Sequence, residues 1–152
     1  MRQRHLFILL VVFATALILK VLYWIVPPKF SHIVIRGQTI RVEVARTPEE
    51  QARGLSGRLS LAADRGMLFL YSQKVVPNFW MKNTFVPLDI IWIEGGSIRG
   101  IIPHVPPSAL GTQDDALPLY TPPVPITMVL EVSAGTAEQW GWKVGDAVRV
   151  DL

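Results

Sequence analysis

The N-terminal run from Leu6 to Val26 constrains this chain most, because it is apolar throughout except for Thr15 and Lys20. As a helix rising about 1.5 Å per residue it would extend roughly 31 Å, enough to cross a hydrocarbon core about 30 Å thick. A run with no polar face does not make the surface helix of a globular domain. Lys20 stands near the outer end, where its long stem can carry the ammonium to the headgroups. Tyr23 and Trp24 suit an aromatic belt at the interface, and Pro27 and Pro28 stop the helix. Arg2 and Arg4 precede the span and hold the N-terminus in the cytoplasm. The sequence therefore predicts a signal-anchor over 1–28, contacting the cytoplasmic membrane through residues 6–26 in a single pass. The domain over 29–152 is then outside, periplasmic or extracellular. The rival reading is a signal peptide cleaved after Ala14-Thr15-Ala16, a small-x-small site. Cleavage there would leave a very apolar tail beginning Leu17-Ile18-Leu19.

That topology changes the meaning of the charge. The chain carries 15 basic and 12 acidic residues, net +3, with a mean hydropathy of +0.34. Arg2, Arg4 and Lys20 belong to the anchor and account for the whole excess, so the outer domain is neutral. No basic stripe points to nucleic acid. There is no cysteine, which excludes disulfides, thiolate catalysis and cysteine metal sites. His5 lies in the cytoplasmic flank, and neither His32 nor His104 has metal-ligand spacing. Asp114-Asp115, the adjacent acid pair, reads as a solvated charge patch in a loop. No metal and no cofactor is expected.

The outer domain reads as short strands broken by turns. Ser31 to Ile35 and Thr39 to Ala45 alternate around Arg36-Gly37-Gln38, a β-hairpin. Thr47-Pro48-Glu49-Glu50 starts a short helix with a capping box and proline at the first position. Met67 to Tyr71, Asn78 to Lys82, Leu88 to Ile93, Ile98 to His104, Ile126 to Val132 and Ala147 to Val150 read as further strands. Ala134 to Trp140 reads as a helical turn. Residues 105–125 hold Pro106, Pro107, Pro118, Pro122, Pro123 and Pro125 and form a long irregular loop. About eight short strands with one or two short helices predict a mainly β fold, a compact antiparallel sandwich or barrel.

The stretch from Asn78 to Asp89 concentrates polar side chains among apolar ones. On a strand, Trp80, Lys82 and Thr84 would share one face, while Phe79, Met81 and Asn83 take the other. The Trp80 ring would offer a stacking surface and Lys82 a cation for an anionic group. The plainer reading makes Trp80 core, gives Asn83 a turn to hold and pairs Lys82 with Asp89. Arg53 and Arg58 flank a Gly-containing turn; their plain reading is an internal pair with Glu131 or Asp89. The sharper one turns Arg53 and Lys82 toward one opening that takes an acidic ligand.

In order along the chain stand Arg53-Gly54-Leu55, Gly66-Met67-Leu68-Phe69, Phe79-Trp80-Met81-Lys82-Asn83-Thr84, Pro87-Leu88-Asp89-Ile90, Leu130-Glu131-Val132-Ser133-Ala134-Gly135 and Gly145-Asp146. Over about residues 33–150 this pattern resembles the domain-of-unknown-function family 192, small bacterial and archaeal proteins often carrying an export signal. The resemblance implies a compact β-sandwich or barrel and supplies no established activity. The residues it marks are Trp80, Lys82, Asn83, Thr84 and Asp89, with Arg53 as an outlier. The Pro-rich segment 103–125 looks longer than the family's usual loop.

Function follows as an expectation. No nucleophile elbow, phosphate loop or metal set is visible, so no catalytic residue is assigned. The adopted reading is a membrane-anchored envelope module that binds a ligand or a protein. The candidate residues are Trp80, Lys82, Asn83, Thr84, Asp89 and Arg53. An envelope protein or a small polar or glycan ligand is the expected partner. The alternative is an enzyme acting on envelope polysaccharide or another acidic small substrate with Asp89 and Lys82. A third is an assembly factor that docks a partner through a β edge or the Pro-rich loop.

Overall fold

A computed structural model describes residues 30–109 and 111–152. The predicted anchor over 6–26 lies outside the described residues, and among the described residues no helix is long and apolar enough to cross a membrane.

The described chain forms one seven-stranded curled sheet with two short helices. Its strands are β1 (Ser31–Ile35), β2 (Gln38–Ala45), β3 (Arg65–Val75), β4 (Leu88–Glu94), β5 (Ser97–Val105), β6 (Ile126–Ser133) and β7 (Val148–Asp151). Helix α1 is Pro48–Arg53 and α2 is Thr136–Gln139. The sheet order is β5-β4-β6-β3-β2-β1-β7. The curl brings its ends together at one rim: Ile98 N–H donates to the Asp146 carbonyl at 3.0 Å, and Gly145 N–H to the Ile98 carbonyl at 2.9 Å.

Local chemistry explains the elements. β1 and β2 turn through Arg36 (φ 50°) and Gly37 (φ 82°). Two successive left-handed residues give a turn whose twist matches the flanking strands. Helix α1 is capped as its sequence predicts: the Thr47 hydroxyl accepts from Glu50 N–H at 3.2 Å, and the Glu50 carboxylate accepts from Thr47 N–H at 3.0 Å. The backbone N–H groups of Thr47 and Arg46, both donating to the carboxylate, hold the Glu50 carboxyl below its usual range.

Two departures from the expected architecture have physical causes. The sheet is not wholly antiparallel, because β2 and β3 run parallel. A parallel pair needs a crossover, and α1 with the turn after it supplies one. Asn78 to Lys82 is not a strand: its one pairing is the bridge between Phe79 and Tyr120. Asn83 takes φ 52° immediately after it. The run instead lies across the sheet, burying Phe79 and Met81 and leaving Trp80 outside.

Strand alternation separates two apolar clusters. Ile33, Ile35, Ile40, Leu68, Ile91 and Leu130 pack inside the curl. Phe69, Phe79, Met81, Ile90, Trp92 and Val129 pack on the opposite face, under α1 and the 78–86 segment. Neighbouring residues of β3, β4 and β6 thus serve different cores. Both faces are covered, so β4 is buried along nearly its whole length.

Candidate functional site

Two features of the backbone build a cleft on the second face. The turn after α1 is one wall, and the 78–84 segment is the other. The Asn83 carbonyl accepts from Gly57 N–H at 2.8 Å, which ties the walls together. Gln51 Nε2 donates to the Leu70 carbonyl at 2.8 Å and fixes α1 on β3. Gly54 ends the helix with φ 48°, and a Cβ there would sit 3.3 Å from Phe69 Cζ. Glycine is the residue that tolerates both this conformation and this approach.

The cleft encloses about 210 Å3. Arg53, Trp80, Lys82 and Thr84 all line it, together with Phe69, Tyr71, Phe79 and Glu131. Four of the six sequence-predicted residues therefore border one cavity. Trp80 is 43% exposed, and Lys82 Nζ stands 5.8 Å from its ring centroid, within cation–π reach. Thr84 is buried, and its hydroxyl donates to the Lys82 carbonyl at 3.4 Å. Among the described residues no ion pair engages Arg53, whereas Arg58 forks onto Glu43 at 2.6 and 2.7 Å.

The remaining two residues do structural work elsewhere. Asn83 holds the turn that joins the walls, with Thr84 N–H donating to the Met81 carbonyl at 3.1 Å. Asp89 is fully buried and faces the other core. Its Oδ1 accepts from His104 N–H at 2.9 Å and Gly135 N–H at 3.0 Å, and its Oδ2 accepts from Ala137 N–H at 2.9 Å. The Lys82–Asp89 pairing is therefore not formed. Lys82 bonds instead to Asp114 in the Pro-rich loop. Likewise the partner of Arg58 is Glu43, not Glu131 or Asp89. Asp114 thus bonds to Lys82 while it and Asp115 stay exposed, as expected of a solvated loop patch.

Two titratable lining residues were not among the sequence candidates for ligand contact. Glu131 on β6 is 5% exposed, and burial pushes its carboxyl up to about 8. The phenol of Tyr71 on β3 is pushed up to about 12, first by burial and then by the charge of Glu131. A carboxyl between Leu130 and Val132, inside a strand buried on both faces, is the signal that marks Glu131. Buried acids are rare unless paired. Among the described residues, no cluster of histidine, cysteine, aspartate and glutamate could hold a metal ion.

Chemically, the cleft has a cationic and aromatic rim over an acidic, largely desolvated floor. The family model DUF192, described as "Uncharacterized ACR", matches residues 31–150. Two solved structures are similar. One is a protein of Sinorhizobium meliloti 1021, provisionally labelled a transcription regulator. It is 30% identical, with a TM-score of 0.72, over 82% of this chain and 96% of that one. The other is a protein of unknown function from Novosphingobium aromaticivorans DSM 12444. It is 31% identical, with a TM-score of 0.73, over 82% of this chain and 88% of that one. No curated protein matches.

Proposed function

We propose that this chain, which belongs to the DUF192 family, is a membrane-anchored, extracytoplasmic binding module whose cleft takes a small carboxylate-bearing ligand. The observation that carries this reading is that Arg53, Trp80 and Lys82 border one cavity, although they come from two separate segments. Arginine's planar fork suits a carboxylate. The exposed Trp80 face suits the flat apolar side of a sugar ring. Ligand pockets for drug-sized molecules usually run from about 300 to 1,000 Å3. A cleft of about 210 Å3 therefore fits one small molecule or the end group of a longer chain. The address outside the membrane rests on the Leu6–Val26 span and its basic flank.

An enzyme built on Asp89 and Lys82 has less support. Both Asp89 oxygens are occupied by backbone N–H groups, and the residue does not line the cleft. The regulator label of the Sinorhizobium relative finds no counterpart in a domain with balanced charge.

The test is calorimetric titration of the full-length chain in lipid nanodiscs with glucuronate, and with glucose as the uncharged control. Glucuronate is expected to bind, and Arg53→Ala to weaken it by about tenfold, the loss of a charge-assisted pair. Absence of glucuronate binding, or equal binding by R53A, would overturn the reading.

A further inference from the structure

The cleft is lined by a buried carboxyl that has no side-chain partner among the described residues. Glu131 is more than nine-tenths buried and lines the cavity. Burial raises its proton affinity, and among the described residues no ion pair joins it to Arg53 or Lys82. Both cations belong to the rim, and Lys82 is already held by Asp114. The rings of Phe69, Tyr71 and Phe79 line the same floor. Phe69 and Phe79 meet edge to face, 4.9 Å between centroids at 81°. Aromatic faces attract cations and not anions. A buried carboxyl suits a positive group, while the Arg53 guanidinium, which has no ion pair among the described residues, suits a negative one.

We propose that the cleft binds a small zwitterion, with its ammonium at Glu131 and its carboxylate at Arg53. The inference rests on the reading of this cleft as a binding site and names the ligand's second charged end. A sugar hydroxyl can bond only to the neutral carboxyl of Glu131, whereas an ammonium favours its ionised form. An ammonium also stabilises the Glu131 carboxylate, so the ligand displaces the carboxyl proton to solvent. At neutral pH binding therefore releases a proton, and above pH 9 it does not. The titratable groups facing Glu131 are Arg53 from α1, Tyr71 from β3 and Lys82 from the 78–84 segment. From β4 the register neighbour is Ile90, and Asp89 serves the other face. The raised phenol of Tyr71 stays neutral. Glu131 is thus the group that exchanges the proton.

Full-length protein in nanodiscs would be titrated with glycine, β-alanine and γ-aminobutyrate, with propionate and propylammonium as single-charge halves. At least one zwitterion should bind about tenfold tighter than either half, the increment of one added desolvated charge contact. Paired buffers of different ionisation heat should report close to one proton released at pH 7. Glu131→Gln should remove that release and the advantage over propionate while propionate still binds. Should E131Q fail to fold, the proton count on the unaltered chain decides. Zwitterions no tighter than propionate, or binding without proton release, would overturn the inference; glucuronate binding in that case leaves the cleft reading intact. If neither zwitterions, propionate nor glucuronate bind, both readings fall.

Discussion

Glu131 is the residue whose behaviour depends most on its surroundings. Its folded carboxyl is raised to about 8 from an ordinary value of 4.5. Between those pH values the unfolded chain has lost this proton and the folded chain has kept it. Stability then falls as pH rises, by about 1.4 kcal/mol per pH unit at the steepest. The contribution is present below about pH 4.5 and gone above about pH 8. Other groups titrate too, so the difference between variants is the quantity to read. Urea melts of the chain and of E131Q at pH 5 and pH 8 should show the unaltered chain losing ground to E131Q as pH rises. Parallel pH profiles would mean that Glu131 is solvated or paired. From the sequence, Glu131 read as the internal partner of an arginine. That assignment failed because Glu43 on β2 captures Arg58 with both oxygens. A linear sequence cannot rank two carboxylates as partners for one guanidinium when both lie far along the chain.

At the scale of elements, Asp89 acts as a fastener. It sits on β4 and accepts from the backbone of β5 at His104, from the loop at Gly135 and from α2 at Ala137. Helix α2 spans only Thr136–Gln139, far too short to persist by its own propensity. Its N-terminus is therefore held by a carboxylate that occupies the first-turn donors. Asp89→Ala strands three backbone N–H groups, that of Ala137 buried and those of His104 and Gly135 part-buried. Each unsatisfied donor costs about 1–3 kcal/mol, so a loss of about 3–5 kcal/mol in urea unfolding is expected. Asp89→Asn retains one acceptor and should lose less. A change below about 1 kcal/mol in D89A would show that the site hydrates or collapses freely. The motif Pro87-Leu88-Asp89 was legible as unusual, yet its meaning was not. A conspicuous acid in an apolar strand reads equally as ligand contact or as cap, and only the three donors decide. The capping box of α1 was legible in full because every part of it lies within four residues.

At the scale of the molecule, turn chemistry and alternation carried the strand positions, whereas pairing was less accessible. Nothing local to Gln38–Ala45 or Arg65–Val75 says that these two strands run parallel. The order of the sheet depends on contacts between distant segments, as when Val148 N–H donates to the Gly96 carbonyl at 2.8 Å and draws the last strand to the first residues of β5. The cleft was half legible: Arg53 and Lys82 could be suspected of sharing an opening, but the fold alone brings Glu131 beneath them. The position of the whole domain relative to a membrane rests on a different physics, that of the N-terminal span and its flank. If Arg2 and Arg4 stay in the cytoplasm, everything after Pro28 is delivered outside. A reporter active only outside the cytoplasm, fused after Leu152, should then be active, and one active only in the cytosol should be silent. Replacing Arg2 and Arg4 by glutamate removes the side-chain charge that sets orientation and should shift part of the population toward the reversed arrangement. The opposite reporter pattern in the unaltered chain would place Trp80 and Arg53 in the cytosol. The cleft chemistry would stand, and its ligand would have to be sought among cytosolic molecules.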